Sequence, residues 1–185
     1  MINLLLIKNN LINFLAAEKI FSLPKKKKVV IYVKTNSEIF LRYINQNEIA
    51  FLDKNLDINI PVLLLSIFNC ILYKSWVPYY RLFIKFTQPK CVLTYLHNDQ
   101  NFYFLKKNSE AIYIAIQNGI ILGEEKWIKK NQVYKVDYFL CFGAPTKAAY
   151  GDIINADYKF IGSFKNNLFS KNSKKKKKCL TFISQ

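Results

Sequence analysis

Histidine and glycine are scarce in this chain, and enzyme motifs often depend on them. Among 185 residues there is one histidine, His97, and there are five glycines, the first of them at position 119. Neither the dinucleotide-binding pattern G-x-G-x-x-G nor the P-loop pattern G-x-x-x-x-G-K-[ST] occurs. The G-x-S-x-G turn of serine hydrolases is also missing. The sequence therefore gives no support to these three kinds of site.

Cysteine is sparse too, and its spacing argues against a metal or disulfide framework. The four cysteines are far apart in the sequence, at positions 70, 91, 141 and 179. Zinc sites use closely spaced cysteine and histidine ligands, and disulfide scaffolds are dense in cysteine. We therefore expect buried free thiols in a reducing compartment and no metal site.

Acidic residues are few relative to basic ones. Asp and Glu total 12 against 28 Lys and Arg, which gives a formal net charge of +16. Such a charge fits nucleic acid or an anionic membrane surface as a partner. Only Arg42 and Arg81 are arginines, however, and base recognition relies on arginine. Nine lysines fall in two runs, at 25–28 and 174–178, so compositional drift remains an alternative.

No apolar run has the length of a membrane span. The apolar start of the chain, 1–7, has no basic segment before it and no small-residue cleavage site after it, so it does not resemble a signal peptide. The most hydrophobic window, 58–73, contains Pro61 and falls short of the roughly 20 apolar residues that a span requires. We expect this window to form a helix buried in the core, beginning at Asp57 or Asn59.

Short apolar runs alternate with helical segments, and this alternation predicts an α/β fold. Strands are predicted at 29–33, 49–52, 91–96, 111–116, 136–142, 158–161 and 179–183. Helices are predicted within 1–23 and at 38–44, 59–73, 79–86 and 146–155. Strands that are apolar throughout are typical of parallel sheets covered on both faces, and the short connections favour βαβ units. We therefore expect a Rossmann-like three-layer domain with a mostly parallel sheet.

Polar residues and glycines follow four of the predicted strands. They are His97, Asn98 and Asp99; Gln117, Asn118 and Gly119; Gly143; and Gly162 and Ser163, followed by Asn166 and Asn167. In open α/β sheets, ligands bind outside the carboxyl ends of the strands, so we expect these residues to gather at one crevice. The amides, glycines and hydroxyl are assigned to substrate binding, because they suit sugar hydroxyls or phosphate oxygens. Ordinary turns would use the same residues.

His97 and Asp99 are the candidate catalytic residues. A neutral imidazole near pH 7 can act as a base. The alternative for His97 is a packing or surface role. Asp99 has three alternatives: orienting His97, binding a hydroxyl, or capping the next helix.

Several of these stretches carry a resemblance to a known family. They are 89–94, 102–103, 114–119, 138–139, 142–143 and 161–167, and the strings I-Q-N-G and I-G-S-F-x-N-N are the most specific. Over residues 27–185 the chain resembles bacterial surface carbohydrate (lipopolysaccharide) biosynthesis proteins of the GT-B type. An acidic residue is commoner in that family at the position of His97.

The resemblance implies the N-terminal, acceptor-side half of a two-domain glycosyltransferase in surface polysaccharide or lipopolysaccharide biosynthesis, inactive alone. The implied organisation is an N-terminal helix and basic lead-in (1–27), a Rossmann-like domain (28–168), a lysine-rich linker (169–178) and the first strand of a missing C-terminal domain (179–185). No cofactor is assigned, because the nucleotide-sugar donor is expected to need the missing domain. The expected partners are that domain and a carbohydrate acceptor.

Three other readings of the sequence stay open, and the blandest is a decayed gene fragment with no activity. One is a polyol-phosphate transferase or nucleotide-sugar epimerase on the same scaffold. Another is a non-catalytic module that binds polyanions. We expect a cytoplasmic protein, with attachment to the inner face of the membrane as an open alternative.

Overall fold

A six-stranded parallel sheet forms the centre of the molecule. The computed structural model describes residues 15–34, 37–106, 109–119 and 132–165. The sheet strands are β2 (Val29–Tyr32), β3 (Ile49–Leu52), β5 (Cys91–Thr94), β6 (Ile112–Ile116), β7 (Tyr134–Cys141) and β8 (Ile154–Phe160), in the order β3-β2-β5-β6-β7-β8. Every neighbouring pair is parallel. A separate parallel pair consists of β1 (Glu18–Ile20) and β4 (Asp57–Asn59).

Helices connect the strands as the sequence predicts. They are α1 (Ile60–Leu72), α2 (Val77–Thr87), α3 (Gln100–Tyr103) and α4 (Ala144–Tyr150), with 3-10 helices at Ser37–Arg42 and Gln46–Glu48. Helix α1 begins where Asn59 Oδ1 accepts the backbone N–H of Val62 at 3.1 Å. Helix α2 ends at Gln88, whose φ of 47° is left-handed, and Pro89 then prevents continuation. The predicted α/β, Rossmann-like fold is confirmed.

The two faces of the sheet bury two separate apolar clusters. Side chains alternate along β2, so Val30 and Tyr32 belong to the larger cluster and Ile31 to the smaller. Residues of all four α-helices pack on the larger cluster. The smaller one is covered by Phe40 of the first 3-10 helix and by Phe164. Each fully buried large side chain contributes about 1.5–3 kcal/mol, so both layers stabilise the sheet.

The strand order creates a topological switch between β2 and β5. Strand β2 comes first in the sheet along the chain, and its successors lie on opposite sides, β3 on one and β5 on the other. Connections that leave in opposite directions open a crevice at the carboxyl ends of the two central strands, where ligands bind in this class of fold. Tyr32 and Thr94 are paired at those ends.

Two helix boundaries differ from the sequence prediction. Glu18–Ile20 is strand β1 and not helix, because its backbone pairs with β4. The helix predicted to run to Asn155 ends at Tyr150, because Ile154 already pairs with Tyr134 and begins β8. Tertiary pairing overrides local helical propensity in both places. Three predicted segments lie outside the described residues: the helical part before Leu15, the linker 169–178 and the strand at 179–185.

The prediction of a buried helix at 58–73 is wrong. Helix α1 forms there, but only Val62 and Ser66 among its residues are buried. Phe68 is 74% exposed and Ile71 is 69% exposed. Within the described ranges, none of the helices has the combination of length and apolar character that crossing a membrane requires.

Candidate functional site

The carboxyl ends of β2 and β5 are joined by a hydrogen bond between side chains. Tyr32 Oη donates to Asp99 Oδ2 at 2.7 Å. The other carboxylate oxygen, Oδ1, accepts the backbone N–H of Asn101 at 2.9 Å and its side-chain amide at 3.0 Å. Asp99 therefore caps α3, one of the alternatives from the sequence, and it also ties α3 to the switch point. Its side chain remains partly exposed.

Tyr32 is held as a hydrogen-bond donor by its surroundings. The side chain is 1% exposed and packs edge-to-face against Tyr80 at 5.3 Å between ring centroids. Burial raises the pKa of Tyr32 well above its ordinary value, and the neighbouring Tyr80 and Asp99 raise it further. The pKa of Tyr80 is raised as well, first by burial and then by the negative charge of Asp99. A phenol that stays protonated donates its hydrogen to the carboxylate at all ordinary pH values.

A lysine and a second carboxylate extend this cluster at the end of β3. Asp53 is buried; its Oδ2 accepts the N–H of Lys34 at 3.1 Å, and its Oδ1 accepts the N–H of Asn55 at 3.0 Å. Burial lowers the pKa of Lys54, and the charges of Asp99 and Asp53 partly oppose that effect. The Lys54 ammonium also lies 5.3 Å from the centroid of the Trp76 ring. One cation thus faces two carboxylates beside the crevice.

Val33, directly after β2, has an uncommon backbone conformation. Its φ is 65°, in the left-handed region that β-branched residues rarely adopt. Strain of this kind persists only where the surrounding structure enforces it, and it is concentrated at functional sites. The backbone N–H of Val33 donates to Leu52 O at 3.2 Å, which joins the carboxyl ends of the parallel strands β2 and β3. The strained residue therefore lies at the mouth of the switch-point crevice.

His97 follows β5 and is fully buried. Its Nδ1 accepts the backbone N–H of Asn118 at 3.4 Å, so the neutral ring carries its proton on Nε2. The ring stands nearly perpendicular to those of Phe139 and Tyr150, at 5.9 and 6.1 Å between centroids. Burial lowers the pKa of His97 from 6.5 to about 4. Nε2 has no hydrogen-bond partner among the described residues. The geometry is that of a packing residue that braces the Asn118 turn, and the catalytic role stays a prediction.

Gln117 connects the ends of β6 and β7. Its side-chain Oε1 accepts the N–H of Phe142 at 2.9 Å and the hydroxyl of Thr146 at 3.0 Å, while Nε2 donates to Gly119 O at 3.1 Å. The side chain is 4% exposed. These contacts use most of the bonding capacity of the amide, so Gln117 shapes the edge of the crevice. Its direct binding of substrate stays a prediction.

The chain after β8 returns towards the switch point. Gly162 has a φ of 70°, a conformation that favours glycine, and it redirects the chain. Phe164 then packs on Phe40 at 5.7 Å between centroids, and Lys165 Nζ lies 5.9 Å from the centroid of the Tyr95 ring. Gly162 and Ser163 therefore lie on a segment that crosses from the edge strand to β2 and β5.

The predicted site residues thus share one edge of the sheet. Because every strand is parallel, the residues after β5, β6, β7 and β8 all lie at its carboxyl edge. The hydrogen bond from the backbone N–H of Asn118 to His97 joins the turn after β5 to the turn after β6. The bond from the N–H of Phe142 to the side chain of Gln117 joins the turn after β6 to the end of β7. Asn98, Asn118, Gly119 and Gly143 are partly exposed there. Asn166 and Asn167 lie outside the described residues.

Sequence reasoning missed the central part of the cluster. Tyr32, Asp53 and Lys54 were not predicted, although Asp53 and Lys54 directly follow a predicted strand. Their position after a strand could have marked Asp53 and Lys54 as site residues. The sequence around Tyr32 contains no such indication, because Tyr32 lies within an apolar run. Within the described ranges, no three His, Cys, Asp or Glu side chains gather as metal ligands.

Comparison with known proteins relates the second part of the chain to a described family. A family described as "putative O-antigen biosynthesis protein" matches residues 114–185, a range that begins within β6 and includes β7, α4 and β8. No curated protein and no solved structure matches the chain. The family match supports a place in surface carbohydrate biosynthesis, because O-antigen is a surface carbohydrate.

Proposed function

We propose that this chain is the acceptor-side domain of a glycosyltransferase that acts in surface polysaccharide biosynthesis. The match of residues 114–185 to an O-antigen biosynthesis family is the observation that carries the proposal. The parallel sheet with its switch point supports it, since folds of this class bind ligands at that place.

The side chains at the switch point have the chemistry that a sugar acceptor requires. Sugar hydroxyls both donate and accept hydrogen bonds, and a carboxylate beside an ammonium offers both kinds of partner. Asp99, which is partly exposed, offers its carboxylate, and Lys54 offers the ammonium. In this proposal Asp99 accepts from an acceptor hydroxyl and is the stronger catalytic candidate, because His97 is fully buried.

The other predicted residues shape the crevice in this proposal. Asn98, Asn118 and Gly119 present backbone and amide groups at the ends of β5 and β6, and Gly143 and Ser163 extend the edge towards β8. Donor binding and closure by a second domain are needed for turnover, because orientation of the reactants supplies much of the rate enhancement. The chain alone is therefore expected to bind an acceptor weakly and to transfer no sugar.

Binding of carbohydrates to the chain provides the test. Saturation-transfer NMR with a panel of mono- and oligosaccharides is expected to show contact with at least one sugar. Asp99→Asn is expected to weaken that contact about tenfold, the effect of losing a charged hydrogen bond. Asp152→Asn is the matched control, because Asp152 is exposed and lies between α4 and β8, at the other end of the sheet.

Three outcomes would overturn the proposal. One is that no sugar binds while polyanions bind with steep salt dependence, which favours the polyanion-binding module. Another is equal loss in the Asp99 and Asp152 variants. The third is sugar transfer from a nucleotide-sugar donor by the chain alone at the rate of a full-length glycosyltransferase assayed beside it, which would remove the need for a second domain.

A further inference from the structure

Helix α1 presents an apolar stripe to solvent. Its members recur at the spacing of one helical face, and each exposes between 43% and 74% of its surface: Leu64, Leu65, Ile67, Phe68, Ile71 and Leu72. The inner face holds Val62 and Ser66, whose hydroxyl donates to Val62 O at 2.8 Å. The helix is therefore inverted relative to an ordinary surface helix, with a polar side chain inside and its large apolar side chains outside.

A second exposed apolar segment lies beside the start of this helix. Phe21 is 75% exposed and Leu23 is 51% exposed. The residue between them, Ser22, accepts a hydrogen bond through its backbone oxygen from the side-chain amide of Asn59, the N-cap of α1, at 2.7 Å. With the stripe, these residues make eight large apolar side chains that are exposed on α1 and in the segment bonded to its start, and large exposed apolar patches are uncommon on monomeric soluble proteins. A patch of this size marks a site of association.

Exposed lysines flank this apolar patch, while the carboxylates of Glu18 and Asp57 lie near the start of α1 on the paired strands β1 and β4. Lys25 and Lys26 follow Leu23 and are exposed, and Lys74 follows α1 and is exposed. No acidic residue occurs between Asp57 and Asp99, a stretch that includes α1, α2 and β5. A groove of about 1180 Å³ runs beside α1. Its charged lining residues are Arg81 and Lys85 from α2 and Glu110, so two cations face one carboxylate there.

The exposed apolar side chains and the lysines beside them together indicate what kind of partner binds this patch. A second copy of the chain would bring the same lysines against each other, and like charges disfavour that contact. A neutral apolar partner would make no favourable contact with Lys25, Lys26 and Lys74. Anionic lipids satisfy both parts, since apolar side chains enter the acyl boundary and lysines meet headgroup phosphates. With 13 residues, α1 is about 20 Å long, which fits a helix that lies along the surface.

We propose that α1, with Phe21 and Leu23, docks this protein on an anionic lipid surface. The stripe from Leu64 to Leu72 inserts between headgroups, and Lys25, Lys26 and Lys74 bind their phosphates. The inference stands on exposure and charge, and it holds whether or not the protein transfers sugar.

Co-sedimentation with vesicles tests the apolar part. The full chain is expected to bind vesicles of phosphatidylcholine mixed with phosphatidylglycerol, and to bind those of phosphatidylcholine alone at least tenfold more weakly. Phe68→Gln and Ile71→Gln are each expected to reduce binding about tenfold. Phe160→Gln is the control, because Phe160 is 55% exposed on the edge strand β8, away from α1. All three side chains are exposed, so thermal unfolding should change little.

A pair of charge variants tests the electrostatic part. The double variant Lys25→Glu with Lys74→Glu is expected to lose binding and its salt dependence, whereas Lys135→Glu with Lys147→Glu, at exposed sites elsewhere, should keep most of both. The proposal is overturned if the chain does not bind the anionic vesicles. Equal binding to both vesicle types, equal effects of the two charge pairs, or a lipid-free dimer that Phe68→Gln dissociates would also overturn it.

Discussion

The hydroxyl of Tyr32 and the carboxylate of Asp99 meet at 2.7 Å, although 67 positions separate them in the chain. This bond joins the ends of β2 and β5 where the connections diverge, and it fixes the start of α3. It therefore links the core of the sheet to the part of the crevice where the sequence placed a catalytic residue.

Removing the Tyr32 hydroxyl should destabilise the protein. Tyr32→Phe leaves the partly exposed carboxylate of Asp99 without one of its donors. Since the lost hydrogen bond is to a charged group, we expect the free energy of unfolding to fall by about 1.5 kcal/mol, as measured in urea. Tyr113→Phe is the matched control. Tyr113 is equally buried, but its hydroxyl lies 3.4 Å from Leu105 O, so its bond is weaker. If both variants lost the same free energy of unfolding, the hydrogen bond from Tyr32 to Asp99 would contribute no more than an ordinary weak bond.

Gln117 should be as important for stability as a large core residue. Gln117→Met keeps the length of the side chain but leaves the N–H of Phe142 without its acceptor, and we expect a loss of about 2–3 kcal/mol. Thr146→Val removes only one of the bonds to Gln117 and should cost about 1 kcal/mol. The double variant should lose less than the sum, because the two side chains share a bond. Strict additivity in urea unfolding would contradict the network.

His97 should make stability depend on pH. Burial lowers its pKa from 6.5 to about 4, so the unfolded chain binds the proton more readily than the folded one. The contribution is fully present above about pH 6.5 and declines as the pH falls to 4, by at most about 3 kcal/mol. In His97→Phe, which can still pack against Phe139 and Tyr150, this slope should flatten relative to the native chain.

The same titration can be observed directly. The chain has one histidine, so a single imidazole signal in an NMR titration reports on His97. We expect its midpoint near pH 4 in the folded protein, and a midpoint near 6.5 would mean that the ring is solvated.

At position 33, glycine should give a more stable protein than alanine, which is the reverse of the usual order within helices and strands. At a φ of 65° a side chain costs about 1–2 kcal/mol, so Val33→Gly should be more stable than Val33→Ala by roughly 1 kcal/mol. In the helix α4, Ala148→Gly should instead destabilise by about 0.5–1 kcal/mol. Thermal unfolding of the four proteins checks both signs, and an alanine variant at position 33 that matches glycine would indicate no strain.

The sheet could be predicted because each strand is recognisable from its own local sequence. Runs such as Val29–Tyr32 and Ile112–Ile116 are short, apolar and rich in β-branched residues, and each ends at polar or small residues. Because such strands pair in parallel, their ends gather at one edge without further information. That reasoning placed Asp99, Asn118 and Gly143 correctly at the carboxyl edge.

Two features could not be predicted, for different physical reasons. The contact of Tyr32 with Asp99 depends on which strands are neighbours, and strand order is not encoded by any local pattern. Exposure of α1 was missed because apolar composition predicts burial, while the direction of its stripe depends on how it packs against α2. Ser66, on the inner face, was the one local indication.

The contact of Phe164 with Phe40 and Tyr43 has a mechanical consequence. An edge strand such as β8 would ordinarily release the backbone at the margin of the domain, yet these rings, 5.7 and 5.9 Å apart by their centroids, draw it back over the sheet. At Lys165 the described chain therefore lies beside Tyr95, next to the middle strands, and not at the edge strand β8. Phe164 also covers apolar side chains of the smaller cluster that the sheet would otherwise leave open to solvent.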